Sequence, residues 1–99
     1  MKNQSEQYVL HLEGALTIRR VQELKEVLLQ ALNKTDHLVI TFSKVVDLDF
    51  AGIQALYAAS IMAHHQKKNF SARGEVPERI QEVFKICGLT NRSWIEFLA

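Results

Sequence analysis

Asp47 and Asp49, two residues apart, are the side chains of this 99-residue chain most readily imagined doing chemistry. Paired carboxylates can divide acid and base work in hydrolysis. Neither has a histidine or a nucleophile beside it in sequence to complete such a site. The simpler reading makes Asp49 the N-cap of a helix and Asp47 a solvated turn residue. The histidines are His11, His37, His64 and His65. Consecutive His64 and His65 point about 100° apart on a helix and do not chelate as an i, i+4 pair would. No carboxylate or cysteine stands near them at ligand spacing, so no metal site is expected. Cys87 falls on an apolar helical stripe and reads as a small core residue rather than a nucleophile. No glycine-rich phosphate loop, serine elbow or paired-histidine zinc motif occurs. The expectation is a chain without catalytic residues and without a cofactor, not an enzyme.

The stretch Asp49-Phe50-Ala51-Gly52 is more informative. It follows the apolar run Leu38-Val39-Ile40-Thr41-Phe42 and leads into Ile53-Gln54-Ala55-Leu56-Tyr57-Ala58-Ala59. A strand that turns through Asp into a helix exposes unpaired backbone N–H groups at one spot, which favours negative charge or an acidic partner. Phe50 stands where small polar residues usually cap. It either staples the helix start by packing further along or is presented to a partner. Tyr57 divides in the same way between core and binding surface.

The elements that position this turn can be read on either side of it. Tyr8, Leu10 and Leu12 alternate with His11 and Glu13, a half-buried strand closed by Gly14. Thr17 is expected to cap a helix running to about Asn33, with Ile18, Val21, Leu24, Leu28, Ala31 and Leu32 inward. Leu38 to Phe42 is continuous enough for a central strand covered on both faces. The second helix is expected over about Ala51 to Gln66, with Ile53, Leu56, Tyr57, Ser60 and Ile61 as one stripe. Lys67 and Lys68 complement its C-terminus. With His64, His65 and Arg73 they make a basic cluster, read as a solvated helix end. Asn69 to Arg73 reads as a short strand, and Pro77 suits the first turn of a third helix. That helix buries Ile80, Val83, Phe84 and Cys87 and ends at a left-handed Gly88, with Leu89 packing back. Ser93 to Leu98 is either a last edge strand or a short helix.

Alternating strands and helices predict an α/β fold, a small mixed sheet of about four to five strands packed with about three to four helices. Residues 1–99 are read as one domain. A hydrophobic content of 47% supports a true core. Twelve Lys and Arg against eleven Asp and Glu leave a net charge of +1, no footprint for nucleic acid. No apolar stretch approaches the roughly 20 residues of a membrane span, and the N-terminus lacks a signal-peptide core. One cysteine suits a reducing compartment. The expectation is a cytoplasmic protein with no membrane insertion.

With these residues placed, the chain resembles the STAS family, the sulfate transporter and anti-sigma factor antagonist domains. The likeness runs from Val9-Leu10-His11-Leu12-Glu13-Gly14 and Leu16, through Val46-Asp47-Leu48-Asp49-Phe50-Ala51-Gly52-Ile53, to Val83-Phe84-Lys85-Ile86-Cys87-Gly88-Leu89. It implies a bacterial protein-interaction module, not an enzyme. In anti-sigma factor antagonists the turn reads Asp, two small residues that are usually Ser or Thr, then Gly. The second small residue is phosphorylated by a partner kinase that is also the anti-sigma factor. Here that position is Ala51, without a hydroxyl, and the one before it is Phe50.

The resemblance therefore implies partner binding through Asp47, Asp49, Phe50, Ala51, Gly52, Ile53, Gln54 and Tyr57, with no phosphorylation switch at the turn. The partner would be an anti-sigma or histidine-kinase-like ATPase, or a signalling assembly such as a chemotaxis array. The alternative is a cytosolic accessory subunit of an ABC-type lipid transport complex. Homodimerisation through an edge strand or the apolar tail stays open.

Overall fold

The computed structural model describes residues 7–88 and 96–98. Strand β1 (Tyr8–Leu16) leads through a 3-10 turn (Ile18–Arg20) into helix α1 (Val21–Lys34). Strand β2 (His37–Leu48), helix α2 (Phe50–His65), strand β3 (Asn69–Arg73), helix α3 (Glu78–Ile86) and strand β4 (Glu96–Leu98) follow.

The sheet has the order β1-β2-β3-β4, and each neighbouring pair is parallel. The mixed sheet expected from the sequence is thus corrected to a parallel one. Each strand pair is joined by a helical crossover, which returns the chain to the same end of the sheet. An order that steps one way with right-handed crossovers carries its helices on one face. The core agrees: Leu38, Ile40 and Phe42 of β2 enter a single cluster with Leu24, Leu28 and Leu32 of α1, Ile53, Leu56 and Ala59 of α2, and Ile80 and Phe84 of α3. The Phe42 and Phe84 rings meet edge-on with centroids 5.6 Å apart. Burying a side chain such as Phe42 contributes about 1.5–3 kcal/mol.

Two strands run further than their hydrophobic patterns suggest. Gly14 does not close β1; at φ +81° it bends the strand, which continues to Leu16. β2 reaches Leu48 and takes in Asp47, which is therefore a strand residue and not a turn residue. Register shifts between His11 and Glu13, and between Gly14 and Ala15, place the additional residues in β2. These irregularities scramble the alternation from Ser43 to Asp47 and hide the strand from a period-2 reading.

Helix α2 buries Gly52, Ile53, Ala55, Leu56, Ala59 and Ala63, four of them small, and α1 packs against this helix. Ile61, expected on the inner stripe, is exposed, and so is Tyr57, which the sequence left open between core and surface. The helix is apolar around much of its circumference, so periodicity could not choose the inner face, and close approach of α1 selected the small side. In α3, Pro77 sits at the N-cap, Ile80 and Phe84 are buried, and Val83 and Cys87 pack at the core's margin. Gly88 is left-handed at φ +76°. Leu89, and Ser93 to Ile95 of the tail, lie outside the described residues; Glu96–Leu98 is a strand.

Candidate functional site

The C-terminal ends of β1 and β2 meet the starts of both N-terminal helices at one carboxylate. Asp49 is the N-cap of α2, and its Oδ1 accepts the Gly52 N–H at 3.0 Å. Its Oδ2 accepts the Ile18 N–H at 2.9 Å, at the beginning of the 3-10 turn. Its own backbone N–H donates to the Leu16 carbonyl at 3.3 Å. One side chain therefore satisfies orphan donors at two helical starts and fastens them to the strand ends. Thr17, expected to cap the first helix, makes no side-chain cap bond; Asp49 does that work from 31 residues away. The Gly52 N–H, first, holds the Asp49 carboxyl below its ordinary value; desolvation opposes this, and the Ile18 N–H adds to it.

Gly52 is required by close approach rather than by backbone angle. A Cβ built there would lie 2.2 Å from the Leu16 carbonyl oxygen and 2.8 Å from Leu48 Cδ1. The Asp-x-x-Gly spacing thus places the cap and the space it needs three residues apart on the first turn of α2.

Asp47 and Asp49 are not brought together as an acid–base pair. Asp47 Oδ1 accepts the Leu48 N–H at 2.9 Å and faces Arg79 of α3 at 3.4 Å, while both Asp49 oxygens are committed to backbone N–H groups. Among the described residues no group of three or more His, Cys, Asp or Glu could hold a metal ion. His64 and His65 are exposed at the end of α2. Lys68 folds back instead of standing in solvent: its Nζ donates to the Leu32 carbonyl and lies 4.0 Å from Asp36.

The outer face of α2 is apolar where a surface helix is normally charged. Phe50 is 63% exposed, Tyr57 48% and Ile61 41%. At spacings of seven and eleven residues they share one side of the helix. Gln54 is exposed on the same side, whereas Gly52 and Ile53 are buried and position the turn without reaching the surface. Ala51 is half-buried at the second position of the helix. Ile18, tied to the turn through its N–H, adds a side chain 66% exposed. Sequence periodicity assigned Ile18 and Ile61 to the core and so missed both as surface residues. A shallow groove of about 140 Å³ between α1 and α2, lined by Leu28, Leu29, Leu32, Ala58 and Met62 among others, extends the apolar surface.

The arrangement is a capped helix start beside an aromatic, uncharged platform. The family model described as "Mlab, STAS domain" matches residues 1–98. The chain belongs to the STAS domain family. Its fold is similar to that of the anti-sigma factor antagonist SpoIIAA, solved in its unphosphorylated form, with a TM-score of 0.73 and 16% identity over 100% of this chain and 84% of that one. No curated protein matches by sequence. In this STAS domain β2 delivers the chain to α2 through an Asp-capped turn. No helix among its described residues is long and apolar enough to cross a membrane.

Proposed function

We propose that this STAS domain is a non-enzymatic, cytoplasmic interaction module of bacterial signalling. It docks a regulatory ATPase- or kinase-type protein with the Asp49–Gly52 turn and the outer face of α2. The observation that carries the reading is the exposed stripe Phe50, Tyr57 and Ile61, which begins at the turn and is joined there by Ile18. Aromatic residues on a surface deficient in charge are the usual anchors of protein interfaces. Asp49, Gly52 and Ile53 set the geometry, while Phe50, Ala51, Gln54 and Tyr57 make the contact; Asp47 lies in β2, paired with Arg79.

Ala51 determines the kind of control. A phosphoryl group needs a hydroxyl, and residue 51 has none. Docking is therefore insensitive to a partner kinase and ATP at this turn. The test is co-purification of the tagged chain from its native host, with wild type, Phe50→Glu and Ala51→Asp compared and the captured protein identified by mass spectrometry. An Asp at the second position of a helix is favourable to the helix by about 0.3–1 kcal/mol. Ala51→Asp should accordingly keep the fold and weaken capture by about 2 kcal/mol or more, through an unpaired charge in the contact. Capture of a kinase-type or histidine-kinase-like ATPase by wild type, lost in both variants, supports the reading. Undiminished capture by both variants removes the turn from the interface, and a one-phosphate mass shift accompanied by release of the partner removes the unswitched docking.

A second reading, a permanent accessory subunit of an ABC-type lipid transport complex, is favoured by the same Ala51, since a constitutive subunit needs no phosphoacceptor. Capture of an ATP-binding cassette protein, instead of a kinase-like one, selects it.

A further inference from the structure

β1 lies at the edge of the sheet, with β2 on one side and no described strand on the other. At nine residues it is long for an edge. It contains no Lys and no Pro. The two register shifts place their extra residues in β2, so β1 itself advances regularly from Tyr8 to Glu13. Beside it runs a trough of about 200 Å³ lined by the consecutive residues Leu10, His11, Leu12 and Glu13 and, across it, by Leu24 and Val27 of α1 and by Arg20 and Glu23, whose charges are paired with each other at 3.2 Å. Successive side chains of a strand point to opposite faces, so a trough bordered by four in a row follows the strand's edge. Val27, on its far wall, is 42% exposed.

We infer that this edge pairs with the same edge of a second copy of the chain, antiparallel and centred on Leu12. The charges select both the occupant and the register. His11 and Glu13 are the only acidic or basic side chains in β1, and both are exposed on one face. A two-fold axis at Leu12 sets His11 opposite the partner's Glu13, and Glu13 opposite the partner's His11. Centring on His11 would oppose two imidazoles, and centring on Glu13 would oppose two carboxylates, which is unfavourable. The Nδ1 of His11 lies 2.8 Å from the Thr41 hydroxyl, which leaves Nε2 as the outward group for a carboxylate. The two-fold closes the assembly at two copies, consumes both edges, and covers Val27. The surface is separate from the outer face of α2, so this inference stands independently of the docking partner.

The test is sedimentation equilibrium of the 99-residue chain over a concentration series, with folding checked by circular dichroism. Wild type should show a monomer–dimer equilibrium. His11→Glu and Glu13→His should each raise the dissociation constant by roughly tenfold, because the first replaces two imidazole–carboxylate contacts by two carboxylate–carboxylate ones and the second by two imidazole–imidazole ones. The double swap His11→Glu with Glu13→His restores the complementarity and should return the constant to near wild type. The rescue separates register from folding, since a merely structural defect would accumulate in the double variant. A monomer at every concentration, a dimer indifferent to the single changes, or a double variant no tighter than the singles would each overturn the pairing.

Discussion

Replacing Gly52 by Ala sets two effects of opposite sign against each other. In a helix, Ala is favoured over Gly by about 1 kcal/mol. Gly52 has no left-handed backbone angle to protect, so a rule based on propensity alone predicts a more stable protein. The structure predicts the reverse. The new Cβ would stand 2.2 Å from the Leu16 carbonyl oxygen, over an ångström inside contact distance, and 2.8 Å from Leu48 Cδ1. Leu48 can rotate, but the carbonyl belongs to the buried end of β1 and accepts the Asp49 N–H. Relief must come from sliding α2 away from β1. That motion lengthens the Asp49 bonds to Gly52 and Ile18 together. Overpacking costs about 1–3 kcal/mol, and weakening a cap costs about 1 kcal/mol more. After the propensity gain, the net loss is about 1–3 kcal/mol, or roughly 5–20 °C in Tm for a domain of this size. Urea denaturation followed by circular dichroism should show a lower midpoint with an unchanged slope. A midpoint equal to or above that of wild type would refute the close-approach argument and leave the glycine without a structural reason.

The remaining expectations concern the same turn and the far end of α2. Asp49→Asn keeps one acceptor oxygen but offers an amide to the second N–H, so it should cost about 1–2 kcal/mol at neutral pH, measured by urea denaturation. Because the folded Asp49 carboxyl lies below its unfolded value, its contribution is fully present above the ordinary carboxylate range. It disappears as pH falls through the folded value, and stability curves for wild type and Asp49→Asn should converge there on acidification. Lys67 holds φ +60° at the end of α2, where Lys68 N–H reaches the Ala63 carbonyl at 2.8 Å and Lys67 N–H reaches that of His64 at 3.0 Å. This is a Schellman cap with a side chain in the glycine position, so Lys67→Gly should stabilise the fold by about 0.5–1 kcal/mol, seen as a higher Tm.

What the sequence disclosed about this molecule was whatever local chemistry determines. Asp49 as an N-cap, Gly88 as a left-handed terminator and Leu38 to Phe42 as a central strand depend on near neighbours, and each is found where it was expected. The second bond of Asp49 to Ile18, and the clash that reserves position 52 for glycine, involve partners more than 30 residues away and leave no local trace. Ile18 was counted with α1 because its spacing fits, yet the 3-10 turn rotates it outward. For α2, hydrophobicity exists on both sides, and only the steric need for Gly52, Ala55, Ala59 and Ala63 against the neighbouring elements decides which side is inside. The aromatic side is then left over at the surface, so the same lack of contrast that defeated the face assignment leaves an apolar patch exposed.

The double role of Asp49 also bears on what can dock there. A bare helix start attracts anions because its N–H groups lack partners. In this STAS domain the Gly52 N–H and the Ile18 N–H are taken by the chain's own carboxylate. The apolar groups around them, Phe50, Ala51 and Ile18, therefore border a spot whose electrostatic demand is already partly met from within. On the docking proposed above, recognition would rest on burial of apolar surface. Covering an aromatic or branched side chain contributes about 1.5–3 kcal/mol, so Phe50, Tyr57, Ile61 and Ile18 together supply several kcal/mol against the cost of association. A phosphoryl group at position 51 would have placed nearly two negative charges inside that apolar contact and cancelled much of it. On the docking proposed above, alanine there would keep the contact intact, and the turn would serve as a fixed platform whose occupancy follows the concentration of its partner.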